Sequence, residues 1–146
     1  MKDASAHQEV KLTEFVANQV RENKDLLGVV ITDRDGVPIV QDWSNSDREL
    51  QNRFLQNRQF VASYSSISEQ ANRLGIGTSD LFIASYSHYQ VLQFNELSSH
   101  RCLVTLFIKA DSNIGVFIGQ RDTWKQMTEM IDKQVMRSGR HEQTLA

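Results

Sequence analysis

Cysteine, proline and long apolar runs are all scarce in this 146-residue sequence. Cys102 is its one cysteine, so no disulfide can form within the chain, as is usual for proteins of a reducing compartment. No stretch approaches the ~20 apolar residues that a transmembrane helix needs. The net charge of -2 provides no field that would attract nucleic acid, and 40% hydrophobic residues are typical of a globular domain.

Neither end shows a targeting or lipidation signal. Lys2 stands where N-myristoylation needs glycine, and residues 143–146 contain no cysteine for prenylation. We expect a disordered arm at residues 1–9, a folded domain at 10–137 and a flexible tail at 138–146. Direct membrane insertion is not expected, so another protein would have to hold the chain at any membrane.

Hydrophobic periodicity and turn residues predict the order helix, two strands, helix, three strands, helix. The first helix contains Leu12 and Val20, and an Asp35-Gly36 turn joins the first two strands. Asp111, Ser112 and Asn113 are candidates to cap the last helix. The predicted strands are 27–31, 37–40, 81–86, 91–94 and 102–108. The predicted middle helix covers 50–74.

The strands differ in how many of their faces are apolar, which predicts their order in a sheet. Strands 27–31 and 102–108 are apolar on both faces, so we expect them in the middle, covered by helices. Pro38 cannot donate a ladder hydrogen bond and places strand 37–40 at one edge, which leaves 81–86 for the other. The predicted fold class is α/β (α+β): a five-stranded antiparallel sheet, order 2-1-5-4-3, between one long helix on one face and two helices on the other.

Several strings of the sequence carry a resemblance to a known family. They are Ile31-Thr32-Asp33-Arg34-Asp35-Gly36-Val37-Pro38, Tyr89-Gln90-Val91-Leu92-Gln93-Phe94-Asn95, Arg73-Leu74-Gly75-Ile76-Gly77 and Asn113-Ile114-Gly115. Together they resemble the roadblock/dynein light chain family, and within it the MEK-partner scaffold subunits of Ragulator-type complexes. Ser98-Ser99-His100-Arg101 departs from the apolar turn that the family has there.

The resemblance implies a non-enzymatic adaptor on the cytoplasmic face of late endosomes and lysosomes. Its implied partners are a second roadblock-type subunit in a heterodimer, a lipidated anchor subunit, Rag GTPases and a MAP-kinase kinase. The implied role is amino-acid (TOR) and MAPK signalling. Alternatives are a dynein-associated roadblock light chain, which would tend to homodimerise, and another roadblock-type regulator of small GTPases.

The middle helix and the strand after it are the predicted partner surface. We expect the stripe Phe60, Tyr64, Ile67, Ala71 and Leu74 to cover the sheet, with small residues elsewhere that let a second helix approach. Strand 81–86 has no proline, lysine or charge, so its edge is unguarded. The predicted contact residues are Phe54, Val61, Ser65, Ser68, Leu81, Phe82, Ile83, Ala84, Ser85 and Tyr86. The alternative for the helix is a plain solvated face.

No catalytic, cofactor or metal site is expected. Asp33 and Asp35 flank a turn, where their carboxylates suit turn formation better than catalysis. No two histidines have the spacing of metal ligands, and Cys102 lies in an apolar run. A small hydrolase that uses Cys102 or the aspartates is the enzymatic alternative, and perturbed pKa values in a deep cleft would favour it.

Overall fold

The computed structural model describes residues 2–57, 59–77, 79–95 and 102–145. It describes the side chains of these residues as well, except those of the helical residues 2–10, 65 and 134–145. The helices are α1 (Lys2–Glu22), α2 (Arg48–Gln56), α3 (Gln59–Asn72), α4 (Ile114–Gly119) and α5 (Arg121–Leu145). The strands are β1 (Leu26–Thr32), β2 (Pro38–Trp43), β3 (Leu81–Ser85), β4 (Tyr89–Phe94) and β5 (Leu103–Lys109).

The five strands form one sheet in the order β2-β1-β5-β4-β3, and all neighbours are antiparallel. This confirms the predicted order. The central pair, β1 and β5, is buried along nearly its whole length, and Val29 lies opposite Leu106. The sheet therefore buries both faces at its centre and leaves β2 and β3 as its edges.

Each face of the sheet has its own apolar core. On one face α1, α4 and α5 cover the strands, with Val16, Trp124 and Ile131 at most 1% exposed. On the other face α2 and α3 do so, with Leu50, Val61 and Tyr64 buried. Both faces of the sheet are thus covered by helices as expected, but by two and three helices rather than by the predicted one and two.

The turn between β1 and β2 is built around Asp33. Its Oδ1 accepts hydrogen bonds from the backbone N–H groups of Asp35 and Val37, both at 2.9 Å. Gly36 follows with φ of 87°, a left-handed conformation that glycine adopts without steric cost. The carboxylate of Asp33 therefore serves the turn, as the sequence predicted.

The prediction of one long helix over 50–74 is wrong, because the helix is interrupted near Asn57 and divides into α2 and α3. The Asn57 backbone N–H donates to the carbonyl of Phe54 at 2.9 Å, and its side-chain Nδ2 donates to the carbonyl of Arg53 at 3.0 Å. Asparagine competes in this way with the helical hydrogen bonds of the main chain. These bonds close α2, and α3 starts again at Gln59.

The stripe predicted to cover the sheet is also partly wrong. Ile67 is 50% exposed and Leu74 is 74% exposed, whereas Val61 is fully buried and Ser68 and Ala71 are half-buried. The buried face of α3 thus runs through Val61, Tyr64, Ser68 and Ala71. Tyr64 and Ala71 belong to the predicted stripe, whereas Val61 and Ser68 take the places expected for Phe60 and Ile67. As a result, Ile67 on α3 is left facing solvent.

Helix extends into both terminal segments that were expected to be unstructured. α1 begins at Lys2 and α5 continues to Leu145. Leu12, Val16 and Val20 anchor α1 in the core, and an anchored helix gains one further hydrogen bond for each residue that it adds. This favours continuation of the helix into polar sequence.

Candidate partner interface

The edge strand β3 has one neighbour in the sheet, β4, and its other side is open. The Asp80 carbonyl accepts from the Asn95 N–H at 3.0 Å, and the Tyr86 N–H donates to the Tyr89 carbonyl at 2.8 Å. Along an antiparallel strand, the backbone N–H and C=O groups of successive residues face alternately toward and away from the neighbouring strand. Asp80 and Tyr86 face β4, so the even-numbered residues between them also face β4 and the odd-numbered ones face away. The backbone groups of Leu81, Ile83 and Ser85 therefore face away from β4.

The side chains of β3 alternate between the two faces of the sheet. Phe82 and Ala84 pack against the α2 and α3 core, and the ring of Phe82 lies 4.5 Å from that of Tyr64 between centroids. Leu81 packs against the opposite core, but Ile83 on the same face is 46% exposed. The middle of the edge thus combines outward backbone groups with an uncovered apolar side chain.

Two residues predicted to contact a partner lie instead in the core of the chain. Phe54 is 4% exposed, with its ring 5.3 Å from Trp43 and 5.6 Å from Phe107, and Val61 is fully buried. Both side chains lie in the core that α2 and α3 form with the sheet. In the free chain they therefore offer almost no surface to another chain.

The two serines predicted for this surface have different outcomes. Ser68 is half-buried, and its Oγ accepts a hydrogen bond from Asn95 Nδ2 at 3.2 Å, so its hydroxyl is used within the chain. The side chain of Ser65 lies outside the described residues. The small size of Ser68 lets α3 approach the end of β4 closely.

Three exposed apolar side chains extend the surface beside β3, and two of them, Ile67 and Leu74, had been predicted to cover the sheet. They are Ile67 on α3 and Leu74 and Ile76 in the turn that leads toward β3, and all three are at least half exposed. Gly75 and Gly77 have φ of 71° and 106°, which fixes that turn. Leu74 before Gly75 and Ile76 between Gly75 and Gly77 were the available signal, because exposed apolar side chains that lie together mark interaction sites.

At the far end of β3 a pair of tyrosines connects the edge to α3. The hydroxyl oxygens of Tyr64 and Tyr86 are 2.7 Å apart. Burial raises the pKa of Tyr64 well above its usual range, and the hydrogen bond to Tyr86 raises it further. Tyr86 itself is half exposed, so it belongs both to this pair and to the open surface.

A groove of about 960 Å³ adjoins Tyr86 where α2 and α3 separate. Its walls are mostly apolar or aromatic, and include Leu50, Phe60, Tyr86, Tyr89 and Phe107. Tyr89 donates its hydroxyl to Asp47 Oδ2 at 2.9 Å, and this bond raises the pKa of Tyr89. Because Asp47 also caps α2 through the Leu50 N–H, it ties the start of α2 to the start of β4 beside the groove.

The start of β3 is tied to α5 by an ion pair. The two terminal guanidinium nitrogens of Arg121, Nη1 and Nη2, each donate to a carboxylate oxygen of Asp80 at 2.5 Å. The hydrogen bonds to Arg121 lower the pKa of Asp80 below its usual value despite the opposing effect of partial burial. This pair holds the strand's entry while the middle of its edge remains open.

The residues considered for chemistry lie apart. Cys102 is buried, His88 is exposed beside the turn between β3 and β4, and Asp33 serves its own turn. Within the described ranges, no three His, Cys, Asp or Glu side chains gather where they could hold a metal ion. The helices described here include none that is long and apolar enough to cross a membrane.

Comparison with known proteins gives a consistent family. Residues 10–135 match the family model described as mitogen-activated protein kinase kinase 1 interacting. The Ragulator complex protein LAMTOR3 of Mus musculus is 31% identical over 108 residues, which cover 73% of this chain and 81% of that protein. The Ragulator complex protein LAMTOR3-A of Xenopus laevis is 27% identical over 108 residues, 74% of this chain and 82% of that protein.

Solved structures show the same fold at low sequence identity. A structure described as MglB with tetrameric arrangement has a TM-score of 0.69 at 14% identity and covers 87% of this chain and 92% of its own. A Roadblock/LC7 domain from Streptomyces avermitilis has a TM-score of 0.57 at 12% identity, covering 85% of this chain and 97% of its own. The chain therefore has the roadblock fold.

Proposed function

The chain belongs to the mitogen-activated protein kinase kinase 1 interacting family, and from this premise we propose that it is a non-enzymatic scaffold subunit of a Ragulator-type complex. Ragulator complex proteins that it resembles over most of their length support the proposal. The complex would act at the late endosomal and lysosomal surface. There it would bring Rag GTPases and a MAP-kinase kinase together for TOR and MAPK signalling.

The open edge of β3 is the observation that carries this proposal. Outward backbone groups at Leu81, Ile83 and Ser85 form a ready ladder for the matching strand of a second roadblock-type subunit. The exposed Ile67 on α3 would pack against the partner's equivalent helix. A stable heterodimer of this kind buries on the order of 1,200–2,000 Å² in total.

A different subunit would hold this chain at the lysosomal membrane. The described helices include no membrane span, and the proposal assigns attachment to a lipidated anchor subunit. Depleting that anchor should release a fluorescently tagged chain from lysosomes into the cytosol. Lysosomal staining that persists without the anchor would contradict this assignment.

Affinity purification of the tagged chain, followed by mass spectrometry, tests the proposed function. We expect a second roadblock-type subunit in equal amount, together with the lipidated anchor, Rag GTPases and a MAP-kinase kinase. Ile83→Pro should remove the roadblock partner from the purified material. Recovery of dynein subunits with a homodimer of this chain would overturn the proposal in favour of a dynein-associated light chain.

A further inference from the structure

A cavity of about 590 Å³ lies at the end of the sheet where β2 and β5 finish, away from the β3 edge. The end of α1 and the loop after β2 close its sides. We call it the basic cavity and define it by the residues that line it: Ala17, Val20, Arg21, Lys24, Asp42, Trp43, Ser44, Asn45, Ser46 and Lys109.

The charge of the basic cavity contrasts with that of the chain. Arg21, Lys24 and Lys109 line it beside one acid, Asp42, although the chain as a whole carries a net charge of -2. The ion pairs found among the described side chains, Arg53 with Glu49 and Arg121 with Asp80, lie elsewhere. Three cationic residues thus line one cavity, and they come from a helix, a connecting loop and a strand.

Stabilisation of the end of α1 accounts for only part of this arrangement. Basic residues in the last turn of a helix often interact with free carbonyls. Here Asn23 already donates both its N–H and its Nδ2 to the Gln19 carbonyl, each at 3.2 Å. Lys109, moreover, ends a strand, so no helix terminus explains its position.

The loop after β2 adds hydrogen-bond donors to the cavity. The Ser44 and Ser46 hydroxyls are 2.8 Å apart, so one of their two protons is used between them and the other is left for a ligand. The Ser44 N–H donates to the Leu27 carbonyl at 2.8 Å, which fixes the start of the loop on β1. Hydroxyl donors beside an arginine fork and two ammonium groups are the groups that bind phosphate oxygens.

We propose that the basic cavity binds a ligand carrying several phosphate groups, of the chemistry shared by soluble polyphosphates and phosphoinositide headgroups. Its volume equals that of about twenty waters at ~30 Å³ each, which exceeds what one phosphate ion needs. Three cations against one acid favour a multiply charged anion over a single carboxylate. The site is separate from the β3 edge and does not depend on the proposed partner.

Titration calorimetry of the whole chain with inositol hexakisphosphate tests the proposal. Arg21→Gln/Lys24→Gln/Lys109→Gln should weaken binding at least roughly tenfold, since each lost cation removes one phosphate contact. The matched control, Arg73→Gln/Lys125→Gln/Lys133→Gln, removes three exposed cations elsewhere and should leave binding within about twofold. Asp42→Asn removes the opposing charge and should tighten binding severalfold.

Vesicles distinguish the two sources of the ligand. Phosphatidylcholine vesicles with about 5% phosphatidylinositol bisphosphate are compared with vesicles of equal charge made with phosphatidylserine. Binding to the first alone identifies a lipid headgroup, whereas binding only to the soluble probe identifies a free polyphosphate. No binding of either probe, equal losses in the triple variant and its control, or no gain with Asp42→Asn would overturn the proposal.

Discussion

The two edge strands of the sheet differ in how they are protected. β2 contains Pro38 and Asp42, is contacted by α1, and pairs with β1 through an irregular register at Ile31 and Thr32. β3 has neither proline nor charge between Leu81 and Ser85, and its outward backbone groups are evenly spaced. Because proteins usually protect their sheet edges, the unprotected edge at β3 is the one that the proposed partner strand would cover.

The largest expected effect comes from breaking the open edge. Ile83→Pro removes an outward N–H without removing a bond to β4, so the fold should survive while the added ladder is lost. We expect pairing with the second roadblock-type subunit to weaken by on the order of 2 kcal/mol, about 30-fold. Co-purification and isothermal titration of the two purified subunits measure this change.

The protected edge supplies the matched control for that change. Ile39→Lys places a charge on β2, where Ile39 is 42% exposed, and should leave pairing unaltered. Pairing that is lost in Ile39→Lys but retained in Ile83→Pro would reverse the assignment of the two edges.

A smaller effect is expected from the apolar surface beside the edge. Ile67→Asp should weaken pairing by about 1–2 kcal/mol, because a side chain that the partner would bury becomes charged. The monomer's free energy of unfolding should change little, since Ile67 is half exposed in the free chain. Val37→Asp, at a similarly exposed site beside β2, should leave both quantities unchanged, and equal losses in the two variants would contradict a role for α3.

The hydrogen bond between Tyr64 and Tyr86 should contribute to the stability of the free chain, before any partner binds. Tyr86→Phe removes the hydrogen bond to Tyr64 and keeps the ring, so it should destabilise the monomer by about 1 kcal/mol. Denaturant unfolding of the free chain measures this loss. If unfolding is unchanged, the two hydroxyls do not stabilise the free chain.

The smallest effect belongs to the ion pair at the entry of β3. Both partners are substantially exposed, so Asp80→Asn should cost only about 0.5 kcal/mol at neutral pH. The folded pKa of Asp80 is lowered, so this stabilisation is present above its unfolded pKa of about 3.9 and is lost as the pH falls through the folded value. Unfolding measured at pH values above and below that window should show the two proteins converging in acid.

The order of the strands could be predicted because two strong constraints agree. Pro38 excludes β2 from the interior of the sheet, and the apolar runs of β1 and β5 require cover on both faces. No comparably strong constraint acts on the helices, whose sequence periodicity admits more than one face. Fold class therefore followed from the sequence more fully than the details of the candidate surface.

The buried face of α3 shows why those details could not be predicted. Phe60, Tyr64, Ile67, Ala71 and Leu74 form the more apolar stripe, but the stripe that is buried includes Ser68. Its hydroxyl is satisfied by Asn95, a residue distant in sequence, and Gln93 beneath α3 donates to the Val61 carbonyl at 3.3 Å. Tertiary hydrogen bonds of this kind let a half-buried polar residue face the sheet while Ile67 stays exposed.

Hydrogen–deuterium exchange of the chain, alone and with its second roadblock-type subunit, tests the role of the β3 edge most directly. Slower exchange is expected at the outward amides of Ile83 and Ser85 in the complex, because a partner strand would accept hydrogen bonds from them. The amides of β2 should exchange at the same rate in both samples. Protection that appears along β2 and not at Ile83 and Ser85 would contradict the account.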